Sequence, residues 1–139
     1  MVCTEDPGWP GQAGRFLPRG ADAAVDAVGG ALGGEMLKLL RPGRTLLVYG
    51  ALSGAPLQLP GGQLIFRTAT VRGFWLTDWK KRTPKAERDR ACAEVMDLMV
   101  QGRLHCPVAA VHPLAGWPAA VTQAQASARG GKVLLDLGG

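Results

Sequence analysis

ADAAVDAVGGALGGEMLKLLRPGRTLLVYG, residues 21–50, alternates two kinds of apolar pattern, and their order sets the architecture. AAVDAV (23–28) is an apolar run broken by one acid and closed by a glycine pair, which predicts a buried parallel strand ending in a tight turn. In ALGGEMLKLLRPG (31–43), Leu32, Met36, Leu37 and Leu40 recur at helical spacing, Glu35, Lys38 and Arg41 take the opposite face, and Pro42-Gly43 ends the helix. RTLLVYG (44–50) is a second continuous apolar strand, again followed by glycine. Strand, helix and strand with short connections make a βαβ unit, which requires parallel pairing and favours a right-handed crossover.

Downstream, ALSGAPLQLPGGQLIFR (51–67) reads as a Pro/Gly-rich connection with a helical turn over QLIFR. ATVRGFWLT (69–77) reads as a third strand, because Thr70, Val71, Phe74 and Trp75 favour β structure. Residues 83–103 predict a long helix with Thr83 as cap, Pro84 in the first position and Gly102 as stop. Its buried stripe is Ala91, Val95, Leu98 and Met99, with Cys92 beside it as a small core residue. A strand over 107–114, a helix over 117–128 opened by Pro118, and a strand over 132–137 follow. Upstream, residues 1–20 are rich in Gly and Pro without a period and read as an irregular leader.

The 139 residues are 47% hydrophobic and 19% charged, enough for one domain with a packed core. The net charge of +5 suits an anionic partner. With 6% aromatics and no nucleic-acid motif, a phosphate-bearing small molecule is at least as good a match as a polynucleotide, and nucleic acid is not the expected partner. Apolar runs such as LLVYGAL (46–52) are too short to span a membrane. Glu5 and Asp6 stand where a targeting segment would carry basic residues, so none is expected on this chain. Cys3, Cys92 and Cys106 form neither a disulfide framework nor metal spacing, and they point to a reducing compartment. His105 and His112 have no clustered acid or thiol, so no metal site is expected.

In open α/β sheets, ligands bind beyond the carboxyl ends of the strands. Those ends are Val28-Gly29-Gly30, Tyr49-Gly50-Ala51 and Phe74-Trp75-Leu76-Thr77. Glycine there lets backbone approach a ligand, and an aromatic side chain can wall a ring; the same glycines would also serve as plain strand-to-loop turns. GGALGG (29–34) comes nearest to GxGxxG, but Val28 occupies the place of the first glycine. The run Lys80-Lys81-Arg82 fits either a solvated helix approach or an anion contact, and Lys132 follows a glycine pair at a strand start.

These segments resemble the medium-chain dehydrogenase/reductases, and among them the mitochondrial-type trans-2-enoyl-CoA reductases. ADAAVDAVGG (21–30) looks like the fourth strand of the Rossmann sheet and its glycine turn, and RPGRTLLVYGALSG (41–54) looks like the fifth strand and cofactor loop. LIFRTATVRGFWLTDWKK (64–81) is the most specific match, and LMVQGRLHCPV (98–108) and GGKVLLDL (130–137) resemble the closing segments. The resemblance implies an α/β chain: a partial Rossmann fold of about three parallel strands with helices, plus a C-terminal strand-helix-strand tail. It divides the chain into a leader (1–20), a partial nucleotide-binding domain (21–104) and a tail (105–139) that would pack on a catalytic domain.

The same resemblance implies NADPH as cofactor and an enoyl thioester as substrate, without zinc. Tyr49, Gly50, Ala51 and Leu52 would border the cofactor, Phe74, Trp75, Leu76 and Thr77 would line the nicotinamide and acyl pocket, and Lys132 would contact NADPH. Members of the family are more than twice this long. The implied chain is therefore a carboxyl-terminal portion without the tyrosine proton donor or the glycine loop, holding no catalytic residue and inactive alone. Tyr49, the single tyrosine, matches a cofactor-loop position. A homodimer through the strand at 69–76 is implied, as is a mitochondrial location in a eukaryote or a cytoplasmic one otherwise. A quinone oxidoreductase of the same superfamily and a non-catalytic dimerisation module are the alternatives.

Overall fold

A computed structural model of the protein describes residues 2–126 and 130–138. The chain divides into two compact units, Met1–Thr83 and Pro84–Gly139. In this division the long helix groups with the tail.

The first unit contains α1 (Trp9–Phe16), β1 (Ala21–Asp26), α2 (Gly30–Leu39), β2 (Leu40–Val48), α3 (Gly61–Phe66), β3 (Thr70–Gly73) and α4 (Leu76–Arg82). Its strands form a parallel sheet in the order β1-β2-β3, with Val25 opposite Leu47 and Leu46 opposite Val71. This is the α/β arrangement read from residues 21–50. The apolar run of β2 follows from its central place, with a strand on each side. Leu46 of β2 is buried with Leu40 and with Leu37 of α2, and Ala24, Met36, Val48, Leu64 and Val71 pack around them. Burying each leucine contributes about 1.5–3 kcal/mol, so this cluster is the main anchor of the sheet.

Several boundaries differ from the sequence reading, and β1 itself runs over Ala21–Asp26 where 23–28 was expected. Leu40 begins β2 instead of ending α2, yet it is buried in either role. Opposite β1, the register passes from Ala21–Leu40 to Ala23–Thr45, so residues 41–44 bulge from the strand, with Gly43 at φ +72°. The leader is not irregular throughout: α1 forms where Pro10 sits in the first turn and Asp6 accepts a hydrogen bond from Gly8 N at 2.7 Å. Trp9, Ala13 and Phe16 recur at helical spacing in it, a short period interrupted by Pro10, Gly11 and Gly14. The third strand stops at Gly73, and the chain turns into α4 at Leu76. Leu76 and Thr77 are therefore helical. Trp79 N donates to Trp75 O at 2.9 Å, and Arg82 Nε donates to Asp78 Oδ1 at 2.9 Å, four residues apart on the helix.

Arg67, between α3 and β3, closes the carboxyl end of α2. Its Nη1 donates to Lys38 O at 3.0 Å and its Nη2 to Leu40 O at 2.5 Å. A cation is thereby placed where the helix dipole is negative.

The second unit contains α5 (Lys85–Val100), β4 (Val108–Pro113), a short 3-10 turn (Leu114–Gly116), α6 (Trp117–Gln125) and β5 (Lys132–Asp136). β4 and β5 pair in parallel, with Val111 opposite Leu134, which makes the tail a second βαβ unit. His112 of β4 and Gln123 of α6 are joined by a 2.7 Å hydrogen bond from Nε2 to Oε1. The end expected for α6, Ser127 and Ala128, lies outside the described residues.

Thr83 closes α4 instead of capping α5, and Gly102 at φ +66° ends the long helix as expected. The stripe expected to be buried is not: Ala91 and Leu98 are half-buried, Val95 is 46% exposed, and Met99 and Cys92 are exposed. Helical spacing shows which side a partner would cover, but not that a partner is present.

Candidate functional site

The carboxyl ends of β1 and β2 are joined backbone to backbone. Asp26, the last residue of β1, is 1% exposed. Its Oδ1 accepts hydrogen bonds from Val28 N at 2.8 Å and Gly29 N at 3.0 Å. The chain bends there, and Gly29 takes φ +75°, ψ −154°, a conformation open essentially to glycine alone. Gly30, at φ +63°, then starts α2.

Residues after β2 lie against this bend. Tyr49 N donates to Asp26 O at 2.9 Å, Leu52 N to Ala27 O at 3.2 Å, Ser53 N to Val28 O at 3.0 Å, and Gln58 N to Gly30 O at 3.0 Å. Gly50 permits the approach, since a Cβ there would stand 2.5 Å from Ala27 O. On the other side of β2, Phe74 N donates to Val48 O at 2.8 Å, which brings the end of β3 to the same rim. The three strand ends thus form one mouth.

Of the expected site residues, Tyr49, Gly50, Ala51, Leu52 and Phe74 stand on this rim. Tyr49 is 55% exposed and Leu52 82% exposed. Phe74 and Trp79 pack with ring centroids 6.5 Å apart at 46°. Trp75, 67% exposed, leads into α4, whose first residues are Leu76 and Thr77. Lys80 and Lys81 are exposed on α4, and Arg82 is paired with Asp78. Lys132 is exposed and opens β5 in the second unit, with its N–H donating to Pro107 O at 2.7 Å. Asp26 and Ser53 escaped the sequence reading, although one acid in an apolar run before two glycines was a visible signal.

The rim is apolar and aromatic, with glycine-rich backbone beneath it. Such a surface can take the flat face of a ring and shield it from water. Beside it, an apolar groove of about 430 Å³ runs between α1, β1 and α2, lined among others by Trp9, Leu17, Val25, Leu32, Met36 and Leu39.

A family model described as zinc-binding dehydrogenase matches residues 11–135. The chain belongs to that family, within the medium-chain dehydrogenase/reductases. Among curated relatives, it is 32% identical over 114 residues to the mitochondrial enoyl-[acyl-carrier-protein] reductase of Dictyostelium discoideum, covering 82% of this chain and 32% of that protein. The chain therefore spans about a third of that relative.

Among solved structures, the putative NADPH:quinone reductase of Bacillus thuringiensis superposes with a TM-score of 0.73 at 26% identity, covering 94% of this chain and 40% of that one. A mutant of Etr1p in complex with NADP and crotonyl-CoA shares the fold, with a TM-score of 0.63 at 18% identity, over 84% of this chain and 34% of that one. Among the described residues of this dehydrogenase-family chain, no group of three or more His, Cys, Asp or Glu is placed to hold a metal ion. No helix among them is long and apolar enough to cross a membrane.

Proposed function

We propose that the chain is the carboxyl-terminal portion of an NADPH-dependent 2-enoyl thioester reductase, and that its share of the reaction is to hold and shield the cofactor's nicotinamide end. The joined strand ends support this reading above all: Tyr49, Gly50, Ala51 and Leu52 form a rim over glycine backbone, and Phe74 stands at its other side. Trp75, Leu76 and Thr77, leading from that rim into α4, would extend the wall toward the acyl chain. NADPH would supply the hydride to the enoyl double bond. The rim residues would exclude water from the ring, and the proton donor would come from outside this chain.

The relative from Dictyostelium discoideum is named as a mitochondrial enoyl reductase, which supports that chemistry and a mitochondrial location in a eukaryotic host. Fluorescence titration of the whole chain with NADPH tests the reading. Saturable quenching of tryptophan emission is expected, and titration to millimolar NADPH without saturation would contradict it.

The likeness to a quinone reductase favours a second reading, in which the same rim serves quinone reduction. Assay of a longer protein containing this chain with crotonyl-CoA and with a quinone separates the two by which substrate consumes NADPH.

A homodimer is also proposed, through the free edge of β3, since the sheet order ends at that strand. A dimer in sedimentation without NADPH binding would favour the non-catalytic module instead.

A further inference from the structure

We propose that Asp26 is the positioning residue of the mouth: its carboxylate holds both the β1 loop and the β2 loop in the conformation that a dinucleotide would meet. The cofactor part of this inference rests on the NADPH reading above.

A buried carboxylate is a costly choice in an apolar strand unless its hydrogen bonds hold something in place. Asp26 Oδ1 takes the N–H groups of Val28 and Gly29 together. Oδ2 has no hydrogen-bond partner among the described residues and is enclosed against α2, where a Cβ on Gly33 would stand 2.8 Å from it. The side chain is thus fixed by its two N–H bonds on one side and by close packing on the other.

Those bonds bend the backbone at Gly29, and the bend turns the carbonyls of Ala27, Val28 and Gly30 toward Leu52 N, Ser53 N and Gln58 N. The second loop has these carbonyls as its partners, so one carboxylate sets both. Asp26 itself need touch no ligand to do this.

The test is amide hydrogen exchange by NMR on the whole chain, with NADPH titration alongside, for D26A and D26N. In D26A, amides at 28–30, 52, 53 and 58 should exchange about tenfold faster. NADPH should bind about tenfold more weakly. Amides of Leu46, Val71 and Phe74 should keep their protection. Asparagine supplies an oxygen acceptor in place of Oδ1 but puts amide N–H groups where Oδ2 has no partner, so D26N should show smaller losses than D26A in both measurements.

Unchanged protection at 52, 53 and 58 in D26A overturns the inference. So does loss of protection at Leu46 and Val71, because the carboxylate would then hold the whole sheet. D26N as damaging as D26A also overturns it, since an acceptor oxygen in place of Oδ1 would then make no difference. If the natural chain fails to bind NADPH, the cofactor reading falls, while the exchange measurements still decide the role of Asp26.

Discussion

At the scale of single residues, the fold depends on a few close backbone approaches. Gly50 lies against Ala27, where a methyl group would meet the carbonyl oxygen at 2.5 Å. G50A should therefore separate the two loops and destabilise the first unit by about 1–3 kcal/mol, read as a lower urea midpoint by circular dichroism. Arg67 is a second such point, because its guanidinium satisfies the carbonyls of Lys38 and Leu40. R67M keeps the apolar stem and removes both bonds, so a loss of about 1–3 kcal/mol is expected in the same measurement. Gly50 stood out in the sequence because it followed an apolar strand. Arg67 did not, because its partners lie 27 and 29 positions away and no local pattern joins them.

At the scale of elements, β3 decides how the sheet ends. Phe74 N donates to Val48 O, and successive N–H groups of a strand point to opposite sides. Gly73 N therefore points away from β2, toward the free edge. Proline at that position removes an outward donor without touching the internal ladder, and nothing lies within 4 Å of a Cβ there. G73P should leave the far-ultraviolet spectrum unchanged and convert a dimer to a monomer in sedimentation. A persistent dimer would place the contact elsewhere. The strands and the crossover helix were legible because their apolar periods differ. The start of α4 was not, because Phe74 and Trp75 have high β-propensity, and the hydrogen bond from Trp79 N to Trp75 O that begins the helix is a feature of the folded backbone.

At the scale of the whole molecule, the apolar core is unevenly shared. The fully buried leucines, Leu37, Leu40 and Leu46, all belong to the first unit, whereas Ala120 is the buried hydrophobic residue described in the second. Each buried leucine is worth about 1.5–3 kcal/mol, so the first unit should outlast the second in denaturant. Hydrogen exchange in rising urea checks this: amides of β4 and β5 should lose protection before those of β1 and β2. A single coincident transition would contradict the expectation.

The sequence by itself determined the parallel βαβ order, the glycine turns at the strand ends and the long helix after Thr83, because each is encoded within a window of neighbours. Tertiary structure alone decided that the first two turns join into one rim, that Asp26 links them, and that the stripe of α5 is left exposed. Those outcomes depend on which distant segments meet, and spacing along the chain records a residue's preferred side without recording what will face it.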